Sequence, residues 1–265
     1  MTIPTMTTTT IRVLALAGSL SLLTAANSQA AFASLPSPTN ETPGVALDAN
    51  TLGLTGTVLA VLDRPFVDNA LPTPFAQGTL RSFVVDRDPT AGVALDFYYQ
   101  LINTTAPSTF PDPDKELYRL KTTGGFLPSL IVGVGQTDDL SGLSAGVGSG
   151  FVPGSYTTGA TLKPASTADR DVGTVGSVGF DFPMQPPIPF VDDPKNIAPG
   201  QRSSFLVVRT NSTVFQQVEM AISGAGTSFA ATFAAVPEPG SAIFGLALLG
   251  TCLGRASRQR KQSAV

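Results

Sequence analysis

A chain of 265 residues with no histidine, no tryptophan and one cysteine is barred from much of enzyme chemistry before any motif is read. Its cysteine, Cys252, falls in an apolar stretch near the C-terminus. The rest therefore offers no disulfide, no Cys or His zinc site, no haem held by histidine and no nucleophile activated by imidazole, and it implies no cofactor. Between residues 34 and 236 there are 18 acidic against 11 basic side chains, and this surplus of 7 negative charges argues against nucleic acid as a partner.

Residues 1–33 read as a secretory signal peptide, with a Thr-rich lead carrying Arg12, an apolar core over 13–26 and small residues at the end. Signal peptidase would remove it. Two cleavage sites meet the small-x-small rule, Ser28-Gln29-Ala30 and Ala31-Phe32-Ala33, and the second is the stricter Ala-x-Ala form. The Pro- and Ser-rich residues that follow, 34–50, read as a linker or a first irregular turn.

The body, residues 34–235, is long enough for one domain with a real core. Its clearest unit is a hairpin: a strand over 77–86, a turn at 87–92 containing Asp88-Pro89 and Gly92, and a strand over 93–103. In the second arm Val93, Leu95, Phe97, Tyr99 and Leu101 share one face at period two, while Ala94, Asp96, Tyr98 and Gln100 share the other. This alternation predicts one buried side and one mostly wet side. Other strands are expected over 53–63, 117–123, 129–135, 156–163, 172–182, 203–211, 215–223 and 228–234. With 22 Pro and 26 Gly and no long amphipathic helix, the pattern predicts a single all-β domain, an antiparallel β-sandwich or a jelly-roll-like fold. Gly173, Gly176 and Gly179 within one expected strand suggest a bulged or twisted edge. The Gly-rich run 142–154 lacks the Lys-Ser or Lys-Thr of a phosphate-cradling loop and reads as a long mobile loop.

Acidic loops are the remaining place for chemistry. Asp112, Asp114 and Glu116 have a spacing that can wrap calcium, but Leu117 stands at the position of the glycine and Thr123 at that of the terminal glutamate. A polar turn before the following strand is the simpler reading, and the pairs Asp138-Asp139, Asp169 with Asp171, and Asp192-Asp193 are of the same kind. Two carboxylates suffice in principle for glycoside hydrolysis, yet nothing in the spacing singles out a pair. Tyr98, Tyr118 and Tyr156 are the tyrosines expected outside the buried face, where a binding module could stack a sugar. No catalytic residue and no metal ligand is assigned, and the expectation is a protein that is not an enzyme.

The last thirty residues are built from three physically different pieces. Pro237-Glu238-Pro239 can neither extend a strand nor enter a helix interior, so it forms a stiff, exposed tripeptide. An uncharged run over 241–253 follows, short for a bilayer at about 1.5 Å rise per residue. Arg255, Arg258, Arg260 and Lys261 close it, and the positive-inside rule places these cations in the cytoplasm and the body outside.

This tail, residues 236–262, resembles the C-terminal sorting signal of bacterial PEP-CTERM proteins. The resemblance implies a short transmembrane helix that holds the chain transiently, recognition and cleavage by an exosortase, and delivery to the cell surface or an extracellular matrix. The body resembles uncharacterised all-β bodies joined to such tails, through Gly78-Thr79-Leu80, Phe97-Tyr98-Tyr99-Gln100 and Val207-Val208-Arg209-Thr210-Asn211. That second likeness implies no activity. The expectation is an exported, non-enzymatic surface or matrix protein with exopolysaccharide as a possible partner; the alternative is a carbohydrate- or calcium-binding module at the cell surface.

Overall fold

The computed structural model of the chain describes residues 32–33, 35, 45–47, 54–68, 76–87, 94–107, 115–126, 130–156, 162–170, 176–182 and 196–236. Its strands in chain order are β1 (Val45–Ala46), β2 (Gly56–Val67), β3 (Gln77–Asp86), β4 (Leu95–Asn103), β5 (Arg119–Thr122), β6 (Ile131–Thr137) and β7 (Leu143–Ala145). They continue as β8 (Leu162–Lys163), β9 (Thr167–Arg170), β10 (Val178–Asp181), β11 (Arg202–Ser203), β12 (Phe205–Thr210), β13 (Val214–Ser223) and β14 (Thr227–Val236). No helix among the described residues is long and apolar enough to cross a membrane. The expected signal peptide, apart from Phe32 and Ala33, and the whole sorting tail beyond Val236 lie outside the described residues.

The strands form two sheets. The larger runs β6-β12-β4-β3-β2-β7, with β11 and β8 joined at β4; the smaller runs β1-β9-β10-β5-β13-β14. Two pairings, β2 with β7 and β8 with β11, are parallel, so the sandwich is antiparallel in its long strands but not throughout. The hairpin of β3 and β4 is present, pairing Gly78 with Asn103 at one end and Asp86 with Leu95 at the other.

Alternation explains how the sheets meet. Leu80, Val84, Phe97, Tyr99, Leu101, Leu206 and Val208 point from the larger sheet into the same core as Leu120, Val178, Phe180, Met220, Ile222 and Phe233 of the smaller one. Each large apolar side chain removed from water here contributes about 1.5–3 kcal/mol, so this shared layer holds the two sheets face to face. A polar bond crosses it: the Tyr99 hydroxyl donates to the Phe233 carbonyl at 2.7 Å.

The second face of β4 departs from expectation. Asp96, Tyr98 and Gln100 are buried, not wet. Leu54, Val58, Phe83, Val85, Tyr98, Phe205 and Val207 form a second apolar cluster on that outer face, closed by Leu140, Leu143 and Phe151. Leu143 and Phe151 come from the Gly-rich run 142–154 expected to be a mobile loop. It is instead a lid that is part of the fold, with β7 pairing in register with Gly56 to Val58 and Phe151 edge-on to Phe83 at 5.5 Å between centroids. Tyr156 adds a further edge contact to Phe83 at 5.0 Å. β4, in the middle of the larger sheet, is thus covered on both faces, which is why it is buried at nearly every position. Two more corrections follow from the same map. β1 lies inside the expected linker, and β10, with Gly179, is an interior strand between β9 and β5 and not an edge.

Candidate functional site

The tail leaves the body at a fixed point. β13 and β14 stay in register to their ends, so Val214 faces Val236, the last residue of the last strand. The Ser212 hydroxyl lies 2.8 Å from the Val236 carbonyl and 2.9 Å from that of Val214, while the Val214 amide donates to Ser212 Oγ at 3.2 Å. The same turn is tied to the other sheet, because Leu95 N donates to the Ser212 carbonyl at 2.9 Å and Thr210 Oγ1 donates to the Leu95 carbonyl at 2.7 Å. Body structure therefore runs up to the residue before Pro237. The sorting motif Pro237, Glu238 and Pro239, and the basic residues Arg255, Arg258, Arg260 and Lys261, lie outside the described residues.

Above this turn, on the outer face of the larger sheet, sits a charged cluster. Asp96 is wholly buried between Arg87, whose Nε is 3.0 Å from Oδ1, and Arg209, whose Nη2 is 3.1 Å from Oδ2. Arg87 Nη2 also donates to the Thr210 carbonyl at 2.7 Å. Burial pushes the Asp96 carboxyl above the ordinary carboxylate range, and Arg209 and Arg87 pull it back. Burial likewise lowers the pKa of Arg87, and its attraction to Asp96 opposes that. The ring of Phe32 covers one face of the Arg209 guanidinium at 3.7 Å, a cation–π contact.

A second cluster lies on the outer face of the smaller sheet. Arg119 donates to Asp169 at 2.7 Å and to Asp181, with all three side chains about a quarter exposed. Gly179 makes room for it, since a Cβ there would lie 2.7 Å from Arg119 Nη2. Neither triad was expected from sequence. The one available signal was a lone charge inside an apolar strand, at Asp96 and at Arg209, which neighbour each other in the sheet. Arg170 is also buried, at 5% exposure; its Nη1 meets the Leu35 carbonyl at 3.4 Å, while Nε and Nη2 have no hydrogen-bond partner among the described residues.

Among the described residues, three of the acids considered for calcium have other partners. Glu116 accepts from Asn196 Nδ2 at 2.6 Å, Asp139 accepts from the Ser141 amide at 2.7 Å, and Asp169 belongs to Arg119. Hydrogen bonds from the Ser141 hydroxyl and then its amide hold the Asp139 carboxyl below its ordinary range. Asp112, Asp114, Asp171, Asp192 and Asp193 lie outside the described residues. Among the described residues no group of three or more carboxylate, imidazole or thiol side chains gathers as a metal site would require. Of the tyrosines expected on an open face, Tyr98 is buried at 1% exposure and cannot stack a sugar, whereas Tyr118 and Tyr156 are half-buried. Tyr156 is stacked on Phe151 at 5.2 Å and covered by Arg81 at 4.6 Å.

Comparison with protein-family models, with curated proteins and with solved structures returned no match to this chain.

Proposed function

We propose that this chain is an exported, non-enzymatic β-sandwich carried to the cell surface or extracellular matrix by its C-terminal sorting signal. The observation that carries the reading is the order of pieces in the tail: Pro237-Glu238-Pro239, an uncharged run, and then Arg255, Arg258, Arg260 and Lys261. The geometry of the exit supports it. β14 ends at Val236 with its carbonyl held by Ser212, so an enzyme at the outer membrane face can cut beyond Val236 without disturbing a strand. In this reading an exosortase recognises the tripeptide and the basic end waits in the cytoplasm.

The test is a Glu238→Ala variant beside the parent chain, in a host with an exosortase. The variant should keep its fold, as surface changes outside a core shift stability by no more than about 0.5 kcal/mol. It should accumulate uncleaved in the membrane fraction, while the parent is released with a C-terminus near Pro237. Equal release of both chains, or parent protein in the mature envelope still carrying the peptide from Arg255 to Val265, would defeat the proposal. The sugar-binding alternative loses Tyr98, and no specific contact favours it.

A further inference from the structure

The small-x-small rule leaves two signal-peptidase sites open, after Ala30 and after Ala33. We propose that the cut falls after Ala30, so that the mature chain begins at Ala31 and keeps Phe32 and Ala33 as the strip that closes the free edge of β6. The inference rests on the export reading above and adds to it the identity of the cleaved bond. In that step water adds across the Ala30–Ala31 peptide bond, with signal peptidase as catalyst, leaving a carboxylate on Ala30 and an amine on Ala31.

Four observations place Phe32, Ala33 and Leu35 in the folded body. β6 is the outermost strand of the larger sheet, bonded to β12 on one side. On its other side Ala33 and Val134 exchange both backbone hydrogen bonds, each 2.9 Å, and so occupy part of an edge that would otherwise invite pairing with a foreign strand. Gly133 is the residue that admits this strip, because a Cβ there would lie 2.8 Å from the Phe32 Cβ and 3.2 Å from the Ala33 carbonyl oxygen. The side chains then alternate as a strand requires. Ala33 and Leu35 pack against the inter-sheet core, with Leu35 at 7% exposure, and Phe32 packs against the outer cluster. Finally, Phe32 covers Arg209 at 3.7 Å, and Arg209 neutralises the buried Asp96.

A cut after Ala33 would remove the ring, both backbone bonds and the edge cover together, and would set a charged amine one residue from the buried Leu35. A cut after Ala30 removes none of these. Both sites meet the small-x-small rule, but only the product that begins at Ala31 fits the sandwich as built. The bond itself lies outside the described residues.

The experiment is to express the full chain with its own N-terminus in a bacterium with a general secretory pathway and to determine the N-terminus of the exported protein by mass spectrometry. A single N-terminus at Ala31 is expected. Ser34 as the N-terminus would overturn this inference while leaving export standing; an intact N-terminal segment in the cytoplasm would overturn export and the inference with it. A second chain carrying Ala33→Val separates the sites without a change of strand character, since a β-branched residue bars cleavage after position 33 yet suits a strand. It should be cut at Ala31 to the same extent as the parent. Loss of processing in that variant would also overturn the proposal.

Discussion

On the larger sheet one carboxylate is held between two guanidinium groups, Asp96 between Arg87 and Arg209; on the smaller sheet one guanidinium is held between two carboxylates, Arg119 between Asp169 and Asp181. The ingredients are nearly the same and the surroundings are not. Asp96 has no exposed surface, and Phe32 covers its partner Arg209, whereas every member of the second triad keeps about a quarter of its side chain in water. Coulombic attraction strengthens as the dielectric falls, but so does the cost of leaving a charge without its partner. The comparison teaches that burial, more than the number of ion pairs, sets what a charged cluster is worth.

Breaking the buried triad should have the largest effect. Asp96→Ala leaves Arg87 and Arg209 without the carboxylate between them, and loss of one partner of a buried pair costs about 3–5 kcal/mol. The lower end is expected, because Arg87 and Arg209 each retain about a quarter of their side-chain surface in water. Urea unfolding of parent and variant measures it, and a loss under about 1 kcal/mol would show that the cover does not exclude water.

Burial should also govern titration on the same strand. Burial raises the Tyr98 and Tyr99 hydroxyls well above the ordinary tyrosine value, with Asp96 adding to the effect at Tyr98. Above about pH 10 the unfolded chain gives up these protons and the native state keeps them, so the native state binds more protons and stability falls as pH rises. Each tyrosine contributes a slope of about 1.4 kcal/mol per pH unit while that imbalance lasts. Unfolding curves taken between pH 8 and pH 11 should show the decline beginning near pH 10, and Tyr99→Phe should flatten it. A flat profile across that range would mean that the hydroxyls reach solvent in the native state.

The smallest effect is expected at the exposed triad. Arg119→Ala should cost no more than about 1 kcal/mol at low ionic strength, and less in strong salt, where partly exposed pairs are screened. A loss matching that of Asp96→Ala would erase the distinction between the two clusters.

The parts of the fold legible in the sequence are those in which neighbours in the chain are neighbours in space. The strand expected over residues 77–86 coincides with β3, and its hairpin partner β4 starts two residues later than expected, because alternation and turn residues are local signals. The outer face of β4 was misread because its cover lies far along the chain. Nothing near Tyr98 announces that Leu140 and Phe151 will close over it, and a run rich in glycine gives the same composition whether it is a free loop or a close-packed lid. Strands of two to four residues, such as β1, β7, β9 and β11, are too short to show a period. Of the candidate site, the tail is written locally and can be read. The ion pair of Asp96 with Arg209 joins residues 113 apart and was hidden for that reason.

The position of β14 has a consequence for timing. Residues of β2, β3 and β4 can pair as soon as they are synthesised, since each turn joins consecutive strands. The inter-sheet core still lacks Phe233, Ala234 and Ala235, and the Tyr99 hydroxyl lacks its acceptor, until β14 has been made. Contacts that span so much sequence form slowly, because the chain entropy of closing the intervening loop is lost before the contact forms. The sandwich therefore reaches its native state only after its final strand is free to dock, and until then the chain remains an incomplete sheet whose exposed edges other chains can capture.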